Sequence, residues 1–230
     1  MRYTTSLLLA IGLFGACSSP DSTKNAAENK KITSSKRVVE PSQAYQSCQI
    51  GSQTWMAQNL NEPHFKNGDP IPEAKTPEEW KKAGNSCQPA WCYYNNDPKN
   101  ATKFGKLYNW YAVNDPRGLA PKGWRLPGNK EWQILLNELD KQEYDALALQ
   151  DPSFSGNYPD ADALHFHAFA SGYRLAGGFF TNAGVYADYW SKDSANAFSA
   201  NAFHLTNKTI VPQWSNYYKA AGFSVRCLKD

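Results

Sequence analysis

Two histidines one residue apart, five cysteines, scattered carboxylates and a late run of aromatic rings are the side chains of this sequence with chemistry to offer. A zinc centre draws on clustered ligands, usually Cys pairs two to four residues apart. Cys87 and Cys92 are the nearest cysteines to one another, and no His stands beside them, so the spacing does not describe zinc. His165-Phe166-His167 alternates as in a strand, which puts both imidazoles on one face. No third ligand follows with a metal-site spacing, and the pair reads as hydrogen-bonded or exposed. Asn95-Asn96-Asp97 offers oxygens of the kind calcium takes, but such a run is more simply an Asx-rich turn. Glycoside hydrolysis needs two carboxylates about 5–10 Å apart. Asp160, Asp162, Asp188 and Asp193 are available, and nothing in their spacing marks a pair. A nucleophile-elbow signature is missing as well. The expectation is a protein with no catalytic set, no metal and no cofactor.

The aromatic residues point elsewhere. Phe, Trp and Tyr make up 14% of the chain. Tyr186, Tyr189, Trp190, Trp214, Tyr217 and Tyr218 fall close together near the C-terminal end, with Asp188 and Asn216 among them as partners for hydroxyl groups. Aromatic faces stack on sugar rings and also anchor protein interfaces, because they combine large apolar area with a polar tip. These eight residues are the candidate ligand-binding set. Trp55, Trp110, Trp124 and Trp132 lie in helix or strand patterns and are assigned to the core. The run Trp214 to Tyr218, beside Pro212, is the candidate exposed patch. A structural envelope or assembly subunit would use the same rings for protein contact.

The elements that must position these residues are partly legible. Ile50-Gly51-Ser52-Gln53 predicts a tight hairpin, with Gly at the first central position of a type II′ turn. Thr76-Pro77-Glu78-Glu79 predicts a helix start with a cap, a proline in the first turn and a capping box, and Gly84 is read as its end. A second helix is expected after Pro127. There Trp132, Leu135, Leu136 and Leu139 make one apolar stripe, Glu131 fits a capping box and Gly128 is a weak cap. Phe223, Val225 and Cys227 alternate toward one inward face. Two helices followed by a loop-rich strand region predict α+β.

Length and composition frame the rest. The chain has 230 residues and a formal net charge of +3, a near balance that gives no reason to expect a nucleic-acid partner. Arg2 and the apolar residues 6–15 read as a secretory signal too short to span a bilayer. The small residues Gly15 and Ala16 before Cys17 resemble a bacterial lipobox, although Phe14 is a loose fit. That resemblance implies cleavage before Cys17 and a diacylated thiol; the alternative is an ordinary signal peptide with an incidental Cys. Residues 18–46 are rich in Ser, Asn, Lys, Glu and Ala and read as a flexible tether. The expected organisation is a signal peptide over 1–16, a lipidated Cys and linker over 17–46, and one domain over 47–230. With Cys17 lipidated, Cys48, Cys87, Cys92 and Cys227 remain, an even number that suggests two disulfides in one of three connectivities.

Several blocks of the body resemble one family. They are the run from Gly51 to Asn61, the run around Trp91-Cys92-Tyr93-Tyr94, and Gly105-Lys106-Leu107-Tyr108-Asn109-Trp110. Pro121-Lys122-Gly123-Trp124-Arg125-Leu126-Pro127, Gly172-Tyr173-Arg174 and Gly222-Phe223-Ser224-Val225-Arg226-Cys227 complete them. In this order they resemble the Fibrobacter succinogenes major paralogous domain, found in exported and lipid-anchored proteins. Its motif order is similar to that of formylglycine-generating-enzyme-like domains. The resemblance therefore implies a C-type-lectin-like fold, with two helices and with N- and C-terminal strands brought together. A formylglycine-generating oxidase needs two neighbouring late cysteines, and Cys227 alone follows Cys92. The family blocks that hold Cys92 and Cys227 imply that these two pair, which leaves Cys48 with Cys87; a long closed loop also constrains the unfolded chain most. Three departures stand out: Gly128 at the usual Ser or Thr cap, a single Trp in Tyr189-Trp190-Ser191, and the segment 150–164, read as a surface loop. The expected function is a non-catalytic, lipid-anchored envelope module, placed at the outer membrane, that binds a glycan or a surface protein. The alternatives are an assembly subunit and an enzyme on a formylglycine-generating-enzyme-like fold.

Overall fold

A computed structural model describes residues 45–156 and 158–230. Cys17, the signal segment and most of the expected tether lie outside the described residues. In chain order the elements are β1 (Ser47–Ile50), β2 (Gln53–Met56), α1 (Pro77–Asn85), β3 (Trp91–Cys92), α2 (Ala101–Phe104), β4 (Leu107–Asn109) and α3 (Trp110–Val113). Then come β5 (Trp124–Arg125), α4 (Asn129–Lys141), α5 (Pro152–Ser155), β6 (Tyr173–Arg174), β7 (Phe180–Thr181), β8 (Tyr186–Ser194), β9 (Ser199–Thr206), β10 (Thr209–Tyr218), β11 (Gly222–Phe223) and β12 (Leu228–Lys229). Helices mixed with antiparallel strands make this α+β, as expected.

The predicted turn and the predicted start of α1 rest on short-range hydrogen bonds and hold. Gly51 has φ +56, and Ser52 is not among the positive-φ residues, which is the dihedral pattern of a type II′ turn between β1 and β2. The Glu79 amide donates to Thr76 Oγ1 at 3.1 Å and the Thr76 amide to Glu79 Oε2 at 3.0 Å, the two halves of a capping box. Gly84 is not the stop. It lies inside α1, and a Cβ there would come within 2.7 Å of the Ala220 methyl, so the glycine permits close packing of the helix. Helix α4 buries Trp132, Leu135 and Leu139 of its predicted stripe, while Leu136 is only partly buried against the same cluster.

Among the described residues three sheets are tied together by the last strands. One has the order β1-β2-β12-β5, one β3-β4-β11-β6-β7, and one is the β8-β9-β10 meander. Strand β12 pairs antiparallel with β2, Leu228 opposite Trp55, so the two ends of the domain meet. Residues 222–228 are buried on both faces. Phe223, Val225 and Cys227 join one apolar cluster with Trp110, Trp190 and Tyr108, while Ser224 and Arg226 are fully buried on the opposite side. The alternation of the sequence therefore separates two buried sides of a segment that is strand only at its ends, Gly222–Phe223 and Leu228–Lys229.

Among the described residues two arginines are fully buried. Arg226 donates to the carbonyls of Met56 (3.0 Å), Phe166 and His167 (3.2 Å) and to Asn59 Oδ1, and its guanidinium stacks 4.4 Å from the Phe166 ring. Arg174 donates to Gly178 O (2.9 Å) and Ala74 O (2.6 Å), between the rings of Trp80 and Phe180. A fork of five donors can satisfy several carbonyls at once, and these two residues knit loops that secondary structure does not bind.

The expected disulfides are corrected. Cys48, Cys92 and Cys227 are free, buried thiols. Each belongs to a different apolar cluster: Cys227 with Trp190 and Phe223, Cys48 with Trp55 and Trp132, Cys92 with Trp80 and Leu107. Cys92 and Cys227, the two that lie in family blocks, are in separate parts of the core, and Cys48 is a free thiol, so neither Cys92–Cys227 nor Cys48–Cys87 forms. The segment 150–164 is likewise not a simple surface loop. It carries α5 and buries Gln150, Phe154 and Asp162. Nor is 165–167 a strand, because His165 and His167 both have positive φ, +54 and +51.

Candidate functional site

The candidate ligand-binding residues fall on the β8-β9-β10 meander, and its register decides their fate. Asp188 pairs with His204 and Tyr189 with Phe203 across β8 and β9, while Trp214 pairs with Phe203 and Asn216 with Asn201 across β9 and β10. Period-2 alternation then gives one face with Tyr186, Asp188, Trp190, His204 and Tyr217, and another with Tyr189, Phe203, Trp214, Asn216 and Tyr218. The first packs into the cluster with Phe223; the second is covered by α4 over part of its width, where Trp132 stacks on Phe203 at 4.4 Å and 8°.

Five of the eight candidates are thereby taken into the protein. Tyr189 and Trp190 are fully buried, and Trp190 Nε1 donates to Tyr108 O at 2.8 Å. Tyr217 is half-buried, its ring 4.5 Å from Phe223 and 5.7 Å from Tyr173. Tyr186 is half-buried against His204, ring centroids 4.6 Å apart. Asp188 has no exposure; its Oδ1 lies 2.5 Å from His204 Nδ1, and its Oδ2 has no hydrogen-bond partner. Burial raises the Asp188 carboxyl above its ordinary value, against the opposing pull of the His204 hydrogen bond. Burial, with Asp188 adding to it, also raises Tyr217 and Tyr173. Asp188 and His204 form a shielded acid–imidazole couple that ties β8 to β9 from inside, not a group presented to a ligand.

Three candidates remain outside, and they form a row. Trp214 (38% exposed), Asn216 and Tyr218 (70% exposed) occupy alternate positions on the same face of β10, an edge strand. Beside Trp214 a recess of about 450 Å³ opens, lined by Trp214 and Asn201 from the sheet and by Asn129, Lys130 and Gln133 from the first turns of α4. The Trp214 ring stands edge-on to Phe203, at 6.1 Å and 76°, and Phe203 is itself clamped by Trp132. A chain of rings thus runs from the core to the surface and fixes the floor of the recess.

The wall of the recess depends on how α4 begins. Gly128 has no side-chain oxygen for the helix amides. Glu131 reaches back to the Gly128 amide at 2.7 Å, and Asp193, at the end of β8, accepts from the Asn129 amide at 2.6 Å. A Cβ on Gly128 would lie 2.8 Å from Asp193 Oδ2, so the glycine makes room for a carboxylate delivered from the sheet. This exchange of a local cap for a distant one locks the start of α4, with Asn129, Lys130 and Gln133, against the meander. Sequence reasoning missed these three residues and Asn201, whose signal was the departure at Gly128 itself. The arrangement offers an aromatic face, amide donors and acceptors and one cation, which suits a polyhydroxylated ligand.

The chain matches the family described as the Fibrobacter succinogenes major domain over residues 48–229. It belongs to that family. Comparison with curated proteins gives no match.

Proposed function

We propose that this member of the Fibrobacter succinogenes major domain family is a non-catalytic binding module of the cell envelope, and that its ligand is a glycan held at the Trp214 recess. The observation that carries this is the exposed Trp214 ring set among Asn129, Gln133 and Asn201. A ring face of this kind stacks on the C–H face of a sugar, and side-chain amides pair with hydroxyls as both donors and acceptors. Asn216 and Tyr218 extend the surface along β10 for a further sugar unit. The meeting of β2 with β12, the two longer helices and the long connections support a C-type-lectin-like reading of the fold.

The test is a glycan array with the mature chain, followed by calorimetry on the retained sugars. Wild type is expected to bind, and Trp214→Ala to lose at least about tenfold in affinity, some 1.4 kcal/mol. Retention of no glycan by wild type, or equal binding by Trp214→Ala, refutes the reading. Retention of a surface protein without any glycan would favour the assembly-subunit alternative.

The module would be held at the membrane, most simply the outer membrane, through diacylated Cys17, supported by the small residues before it and the polar stretch after it. Two acyl chains anchor stably where one is marginal. Cys17→Ser should leave the membrane fraction or fail to mature; normal processing with unchanged membrane fractionation rules the anchor out.

A further inference from the structure

We propose that Asp162, His165 and His167 form a binding site for a divalent transition metal of the zinc class. In the sequence the two histidines lack a third ligand. The fold supplies it: one ligand atom from each of the three side chains lies within 4.8 Å of the others. A tetrahedral metal with bonds of about 2 Å holds its ligand atoms about 3.3 Å apart. Closure on an ion therefore needs movements of about an ångström, which an exposed His165 side chain can make.

The segment is built to hold these groups. Phe166, between the histidines, is fully buried against Trp55 and Trp132, and Arg226 fixes the carbonyls of Phe166 and His167 from below. The anchored Phe166 leaves its two neighbours at the surface. Asp162 is 6% exposed, with Oδ1 accepting the His167 amide at 2.7 Å and Oδ2 2.5 Å from His167 Nδ1. A dication would lie between Oδ2 and the imidazole, where the two now meet directly. Asp151 adds a second carboxylate, its Oδ2 3.8 Å from His167 Nδ1. Of the two carboxylates, Asp162 also interacts with the buried charge of Arg226 beneath the loop.

The donor set selects the metal class. Two imidazoles with one or two carboxylates suit zinc and neighbouring transition metals, whereas calcium and magnesium prefer oxygen alone. His165 is exposed and the His167 side chain 40% exposed, so an ion enters from solvent and keeps a position open to water. None of the residues of the Trp214 recess takes part, and the two proposals fail independently.

The test uses the full chain in detergent, without a polyhistidine tag, stripped with a chelator and titrated with Zn²⁺ and then Co²⁺. Expected are a single zinc equivalent bound at micromolar metal, a higher melting temperature in zinc, and a Co²⁺ visible band without thiolate charge transfer. His165→Ala, which removes an exposed side chain and leaves the fold intact, should weaken binding at least about tenfold, as should His167→Ala. His64→Ala, at an exposed position outside the cluster, should bind as wild type does. The proposal is overturned if wild type takes up no metal, if His165→Ala binds unchanged, or if a thiolate band places the ion on a cysteine.

Discussion

Lys106 is 3% exposed, and its ammonium lies 4.4 Å from the centre of the Trp91 ring and 4.7 Å from that of Tyr93. It donates to Asn61 O (3.0 Å), Asn61 Oδ1 (2.6 Å) and Tyr93 Oη (3.0 Å). Burial lowers it to about 8, against the smaller upward pull of Glu62 and Glu73. The unfolded chain then holds this proton more tightly than the folded one. Below about pH 8 both states carry it, and the cost of the buried ammonium is fully present. Above that the folded state sheds the proton while the unfolded chain keeps it, so the Lys106 contribution to stability rises with pH until the ordinary lysine value near 10.5. At about 1.4 kcal/mol per pH unit the gap sets a ceiling near 3 kcal/mol, and screening by nearby water roughly halves it, to about 1.5 kcal/mol. Buried cysteines and tyrosines titrate in the opposite sense at high pH, so the difference between wild type and Lys106→Met isolates the effect. Denaturant unfolding followed by tryptophan fluorescence should show wild type gaining on Lys106→Met by about 1–1.5 kcal/mol between about pH 8 and about pH 10. Hydrogen bonds lost in the variant shift its curve by a constant and leave this slope alone. A difference that stays flat, or that falls with pH, would refute the assignment of a neutralisable buried lysine.

Other expectations follow from the interior. Arg226→Lys keeps the charge but cannot span Asn59, Met56, Phe166 and His167, and should cost about 2–4 kcal/mol by thermal or denaturant unfolding; a loss under about 0.5 kcal/mol contradicts the bridging role. Burial pushes the Cys48 thiol up to about 11 and Cys92 up to about 12, and raises Cys227 further. All three should therefore resist alkylation in the native chain near neutral pH and react on unfolding without reductant. A Cys92–Cys227 or Cys48–Cys87 bridge in non-reducing peptide maps would restore the pairing that the structure rejects.

What the sequence alone determined is what short-range bonding determines. The capping box of Thr76 and Glu79, the turn at Gly51-Ser52 and the apolar stripe of α4 involve neighbours within a few residues, and local chemistry suffices for each. Cys92 and Cys227 lie in family blocks and are buried, whereas Cys48 is buried outside them. Partners and exposure were beyond reach. Trp190 and Trp214 occur in similar aromatic strands, yet one is sealed beneath β11 and β4 while the other ends at an edge that α4 does not cover. Asp193 caps a helix 64 residues before it, and Asp162 meets His165 and His167 because the chain turns back through positive-φ residues where alternation predicted a strand. Strand alternation places a side chain on one of two faces; the docking of other elements decides which face meets water, and that docking is fixed by contacts between residues distant in the chain.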